Sequence, residues 1–211
     1  MSPAKERGQY FNGTTDRATF SDFQLSFRFT IMAYVRLDDL SASRYTIFSK
    51  ERDVTPNRQV FSAYITGTTG LVSVELADAD DDYATKLSTE GTDNAAAAAT
   101  WNLVGFAINM EDNAESTSVR LFTNDGGSVW QFTLTNKVYL DAATAHKNSV
   151  GAQKEDNDSY GGMFKGFMYF ITIHNSYMQD ENSNYGTGCS CDPVSLTCRD
   201  LSGCLLNANF D

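Results

Sequence analysis

The chain has 211 residues, with 16 Lys+Arg against 27 Asp+Glu and a formal net charge of −11. Aromatic residues at 12% are too many for a disordered acidic tail, and the charge has the wrong sign for nucleic acid or an anionic membrane surface. No run of about 18 apolar residues is present to span a bilayer, and the length suits a single all-β sandwich.

From 25 to 37, apolar residues stand at every second position: Leu25, Phe27, Phe29, Ile31, Ala33, Val35 and Leu37. Between them lie Ser26, Arg28, Thr30, Met32, Tyr34 and Arg36. This alternation puts one face in a core and predicts a long strand. Further strands are predicted at 45–50, 59–66, 71–76, 101–109, 118–123, 128–135, 138–140 and 149–152. Gly67-Thr-Thr-Gly70 and Asn124-Asp-Gly-Gly127 are hairpin turns, because Asn, Asp and Gly tolerate the positive φ such turns need. The last long strand, 163–174, carries bulky residues on both faces, so a core should bury one side and something should cover the other. Helical signals are confined to one turn at 95–99, equally readable as a small-residue linker into Trp101, and one turn at 177–182. Many short strands and almost no helix predict an all-β, antiparallel jelly-roll β-sandwich over residues 8–180.

The four cysteines, Cys189, Cys191, Cys198 and Cys204, fall in the closing segment with spacing C-x-C-x6-C-x5-C. Zinc sites favour paired C-x2-C knuckles, which are absent, so two disulfides in a Cys-rich tail over 181–211 are expected, with three pairings open. Disulfides imply an oxidising compartment, and with it a secreted or cell-surface protein. Met1-Ser-Pro-Ala-Lys-Glu-Arg7 has no apolar h-region, and the chain reads as a module of a larger protein. Sequons at Asn12 and Asn157 are candidate glycosylation sites.

Four segments in order resemble the concanavalin A-like lectin/glucanase superfamily, and within it the laminin-G/pentraxin-like jelly rolls. They are Tyr10-Phe-Asn-Gly13, Phe29-Thr-Ile-Met-Ala-Tyr-Val-Arg36, Trp101-Asn-Leu-Val-Gly-Phe-Ala-Ile-Asn109 with Val119-Arg-Leu-Phe-Thr-Asn-Asp-Gly126, and Val150-Gly-Ala152 with Phe164-Lys-Gly-Phe-Met-Tyr-Phe-Ile-Thr-Ile-His-Asn175. The resemblance implies two antiparallel sheets and a range of roles that includes glycan binding, adhesion and structure.

Catalysis is not expected. The superfamily's glycanases carry a Glu-x-Asp-x-x-Glu strand, and the nearest run here, Glu75-Leu-Ala-Asp78, has the wrong spacing. His146 and His174 lack an evident acid or nucleophile partner. Two acidic runs, 78–82 and 155–158, offer the oxygen ligands that calcium takes, and loop calcium sites occur in many members of the family. Asp78, Asp80, Asp156 and Asp158 are the metal candidates, with Asp16 a further one. Tyr83 with Asp81, and Tyr160 with Asn157, combine an aromatic platform with polar groups, the composition of a sugar site. Gly161-Gly162 would let a ligand approach the backbone. The outward Met32, Tyr34 and Tyr169 suit packing or an interface better than a sugar. The expected role is a non-catalytic recognition or adhesion module for a glycan or an extracellular protein, calcium-assisted. A self-assembling structural subunit is the rival reading.

Overall fold

The computed structural model describes residues 8–20, 25, 28–52, 58–77, 86–90, 95–110, 117–123, 130–134, 146–154, 159–175, 191–192, 197–198 and 204–209. The strands are β1 (Gln9–Asn12), β2 (Ala18–Phe20), β3 (Arg28–Leu37), β4 (Arg44–Arg52), β5 (Arg58–Thr66), β6 (Val72–Ala77), β7 (Lys86–Glu90), β8 (Trp101–Met110) and β9 (Thr117–Thr123). They continue as β10 (Trp130–Leu134), β11 (His146–Val150), β12 (Gln153–Lys154), β13 (Tyr160–Gly161), β14 (Lys165–His174), β15 (Cys191–Asp192), β16 (Thr197–Cys198) and β17 (Cys204–Asn209). No helix occurs among the described residues.

Two antiparallel sheets form the sandwich. Sheet A has the order β1-β14-β3-β8-β9-β10, and sheet B the order β2-β11-β4-β5-β6-β7. The alternation in β3 works as its sequence requires. Phe29, Ile31, Ala33, Val35 and Leu37 are fully buried and face Tyr45, Ile47, Phe48, Phe61, Ala63 and Ile65 of sheet B in one core cluster. Phe29 meets Phe61 edge-on, with ring centroids 5.3 Å apart. An edge-to-face pair gains from the ring quadrupoles beyond the area it buries.

β14 is buried on both faces, as its composition requires. Met168, Ile171 and Ile173 enter the main core, while Tyr169 and Phe170 join a second apolar cluster with Met32, Leu103 and Phe122. The outer edge of β14 is shared by two strands. β1 pairs with its first half, from Lys165 to Met168, and β17 with its second, from Phe170 to His174. Residues 204–209, from the expected tail, are therefore part of sheet A.

Several strands have little apolar alternation, and the sequence did not announce them: β2, β7, β12, β13 and the three strands after residue 190. The segment 95–99 is irregular and then turns, with Ala99 at φ 55°. Predicted elements at 138–140 and 177–182 lie outside the described residues.

Candidate functional site

The outer face of sheet B carries a row of small hydroxyls. Thr19, Ser149, Ser49 and Ser62 are opposite one another in register on β2, β11, β4 and β5, and the row continues through Glu75 of β6. Their size is explained by what crosses them. The Ser49 hydroxyl donates to the Ala152 carbonyl at 3.0 Å, and the Ser62 hydroxyl to Gln153 Oε1 at 3.2 Å. Residues 151–153 thus lie over the sheet, where a larger side chain would lift them off. Gly151 makes the turn into this crossing with φ +81°, and a Cβ there would sit 2.6 Å from the Phe11 ring.

The crossing segment brings Gln153 to Arg44. Arg44 Nη1 donates to Gln153 Oε1 at 2.6 Å, and Nη2 to Glu75 Oε2 at 2.7 Å. The guanidinium lies 3.8 Å over the centroid of Tyr64, a cation–π contact. Burial works against the Arg44 charge, but hydrogen bonding to Glu75 and its negative charge outweigh it, so the pKa rises and the group stays protonated. The pair is mostly but not wholly enclosed, with side-chain exposures of 19% and 15%. A guanidinium has five N–H donors. Two of them are used by Gln153 and Glu75. One cation, one carboxylate, one amide, one aromatic ring and hydroxyls therefore converge on a single partly open patch.

The sequence-predicted positions fare differently. The Tyr160 ring has Arg17 stacked on it at 3.9 Å, so its own chain occupies that face. Gly162 does allow close backbone approach, but the partner is a strand of the same chain. Its carbonyl accepts the Thr46 N–H at 2.8 Å, and a Cβ there would meet Thr46 Oγ1 at 2.6 Å. Asp16 closes a turn, with Oδ2 accepting the Asn12 N–H at 3.1 Å. In the same turn, Asn12 Oδ1 accepts the N–H groups of Thr14, Thr15 and Asp16. Asp78, Asp80, Asp81, Tyr83, Asp156, Asn157, Asp158 and Cys189 lie outside the described residues. Cys191, Cys198 and Cys204 fall on β15, β16 and β17. Among the described residues, no group of three His, Cys, Asp or Glu side chains is gathered as a metal site.

On sheet A the outward Tyr34 stands between two rings. It stacks on Trp101 at 5.1 Å and on Phe170 at 6.2 Å, nearly parallel to both. Both of its faces are used, so Tyr34 serves packing, as expected. Next to this stack, Tyr10, Phe167, Arg36 and Trp101 form one register row across β1, β14, β3 and β8. Tyr10 at the end of the row is 39% exposed.

Arg44, Tyr64 and Gln153 were not selected by sequence reasoning, and Glu75 drew notice only as part of a run with the wrong spacing. Alternation in β4, β5 and β6 assigns Arg44, Tyr64 and Glu75 to the outer face. Nothing local to the sequence says that Gln153 crosses over to meet them.

No family model matches the sequence, and no curated protein matches it. Solved structures do resemble the fold. A heptameric SAP-like pentraxin from Limulus polyphemus superposes with a TM-score of 0.61 at 12% identity, covering 88% of this chain and 82% of that one. The CBM40 domain of the Ruminococcus gnavus IT-sialidase, bound to α2,3 sialyllactose, gives 0.60 at 16% identity, covering 83% and 93%. The enzymatically active domain of bacteriophage CBA120 tailspike protein 2 gives 0.61 at 9% identity, with 97% of this chain spanning 30% of that one. The architecture is the lectin-type jelly roll of the concanavalin A-like and pentraxin domains, as the sequence resemblance implied.

Proposed function

We propose that this chain is a non-catalytic recognition module that binds a glycan at the Arg44–Tyr64–Glu75–Gln153 patch on the outer face of sheet B. The observation that carries the reading is the guanidinium itself. It is held by Tyr64, Gln153 and Glu75, yet its side chain stays partly open to solvent. Planar donors of this kind suit a carboxylate or a pair of sugar hydroxyls. An acidic sugar is the ligand class we assign, and the similar Ruminococcus gnavus domain, which binds α2,3 sialyllactose, supports that choice. Three of the described carboxylates have partners within the chain. Glu75 is held in an ion pair, Asp16 in a turn, and Asp39 by Lys165.

Calcium enters this reading through the sequence around the patch. Glu75 stands just before the 78–82 acidic run and Gln153 just before the 155–158 run, and both bind the same guanidinium. We assign calcium to those runs as a structural cation. The deciding measurement is binding to an array of sialylated and neutral glycans, with and without calcium, for the wild type and Arg44→Ala. Saturable binding that is lost in the variant supports the reading. Equal binding by both proteins, or none by either, sinks it.

The half-buried Phe167, Arg36 and Trp101, ending in the exposed Tyr10, favour a second reading, in which this face joins copies of the chain. Light scattering that rises with concentration and is abolished by Tyr10→Ser would support it.

A further inference from the structure

All four cysteines follow residue 188, and three of them fall on strands. β15 and β16 form a two-stranded sheet of their own, in which Cys191 stands opposite Cys198 and Asp192 opposite Thr197. Residues directly opposite in an antiparallel pair have Cα atoms about 4.5 or 5.5 Å apart, and disulfides bridge Cα separations of about 4.4–6.8 Å. A sheet of two residue pairs has almost no face to bury, and even longer isolated hairpins are marginal in water. A covalent bond across it would supply the missing restraint. Cys204 opens β17 opposite His174 of β14, so its backbone belongs to the sandwich.

We propose that Cys191 and Cys198 form one disulfide and that, with this pair taken, Cys189 and Cys204 form the other. The second bond ties the small hairpin to the strand that covers the outer edge of β14. Each bond forms by thiol–disulfide exchange. One cysteine thiolate attacks a small-molecule disulfide such as oxidised glutathione and releases one glutathione thiolate; the second cysteine thiolate then attacks the protein sulfur of the mixed disulfide and displaces the other glutathione thiolate. The cysteine pair gives up two protons and two electrons, and the oxidant leaves as two thiols. The role of the staple is edge protection. β17 pairs with Phe170–His174, an edge that would otherwise present unpaired backbone groups for association with another chain.

The test uses the full chain, folded in a glutathione redox buffer and digested without reduction by a protease that cleaves before aspartate. Cleavage before Asp192 and Asp200 leaves Cys189 and Cys191 on one peptide, Cys198 on a second and Cys204 on a third. The expected product is all three peptides joined, with fragment ions linking Cys191 to Cys198 and Cys189 to Cys204. A separate peptide closed on itself between Cys189 and Cys191, a Cys189–Cys198 link, or four free thiols would overturn the pairing. Amide exchange then tests the role. Reduction should speed exchange at 170–174 by about tenfold while leaving β8 unchanged, and equal exchange in both states would refute the tether.

Discussion

Arg44 and Tyr64 are diagonal neighbours on β4 and β5, and the guanidinium of the first lies 3.8 Å over the ring of the second. The stack aims a charge that Glu75 and Gln153 hold from its edges. Arg44→Ala should therefore remove glycan binding by at least about tenfold and cost stability of about 2 kcal/mol, since it leaves Glu75 without its cation. Arg44→Lys keeps the charge but not the planar fork, so it should recover stability more than affinity. Calorimetric titration and denaturant unfolding on the same samples separate the two effects. Full affinity in Arg44→Ala would move the site elsewhere.

If the acidic runs hold calcium as proposed, binding would stabilise the folded state by mass action, by about 2.7 kcal/mol at a free concentration a hundred times Kd. For a chain of this size that is a rise in Tm of roughly 5–10 °C. Thermal melts in EDTA and in millimolar calcium should differ by about that much. Superimposed melts would remove calcium from the account.

Asp39 ties the two sheets together at one end of the sandwich. Its Oδ2 takes Lys165 Nζ of β14 at 2.6 Å, and its Oδ1 takes the Tyr45 hydroxyl of β4 at 2.7 Å and the Ser41 hydroxyl at 2.6 Å. Hydrogen bonding from Lys165, then from Ser41 and Tyr45, holds its pKa well below the usual carboxylate range. A carboxyl group depressed in the folded state contributes stability above its unfolded pKa, near 4, and loses it as pH falls further. Asp39→Asn should therefore lower Tm at pH 7, and the gap to the wild type should narrow steadily below about pH 4. Because the pair is partly solvated, salt should shrink the gap as well. A gap independent of pH between 7 and 3 would contradict this.

Gly105 on β8 stands directly opposite Phe122 on β9, and the ring lies over the glycine where a side chain would otherwise be. Gly105→Ala should destabilise by about 2 kcal/mol through overpacking. In the background of Phe122→Ala the same change should cost much less, because the obstructing ring is gone. Additive effects in urea unfolding would show that the two sites are independent.

The jelly roll was legible because its driving force is periodic. Phe29, Ile31, Ala33, Val35 and Leu37 alternate with outward residues, and a strand can bury such a set only against a second sheet. The same alternation assigned Tyr34 to the outer face, and the bulk of β14 on both sides called for cover on both. Strands such as β2, β12 and β13 were illegible because neighbouring strands, not their own apolar patterns, make them extended.

The site followed a different logic. By itself the sequence determined the sandwich, its core, the acidic runs and the clustering of the cysteines, all of which depend on residues close together in the chain. Only the tertiary structure decided that Gln153 crosses a row of serines to reach Arg44, that Arg17 covers Tyr160, and that 204–209 complete the edge of β14. Those relationships join residues more than a hundred positions apart, or join edges through backbone hydrogen bonds that any side chain permits. No local pattern encodes either, because the energy that fixes them is gained only once both sheets are in place.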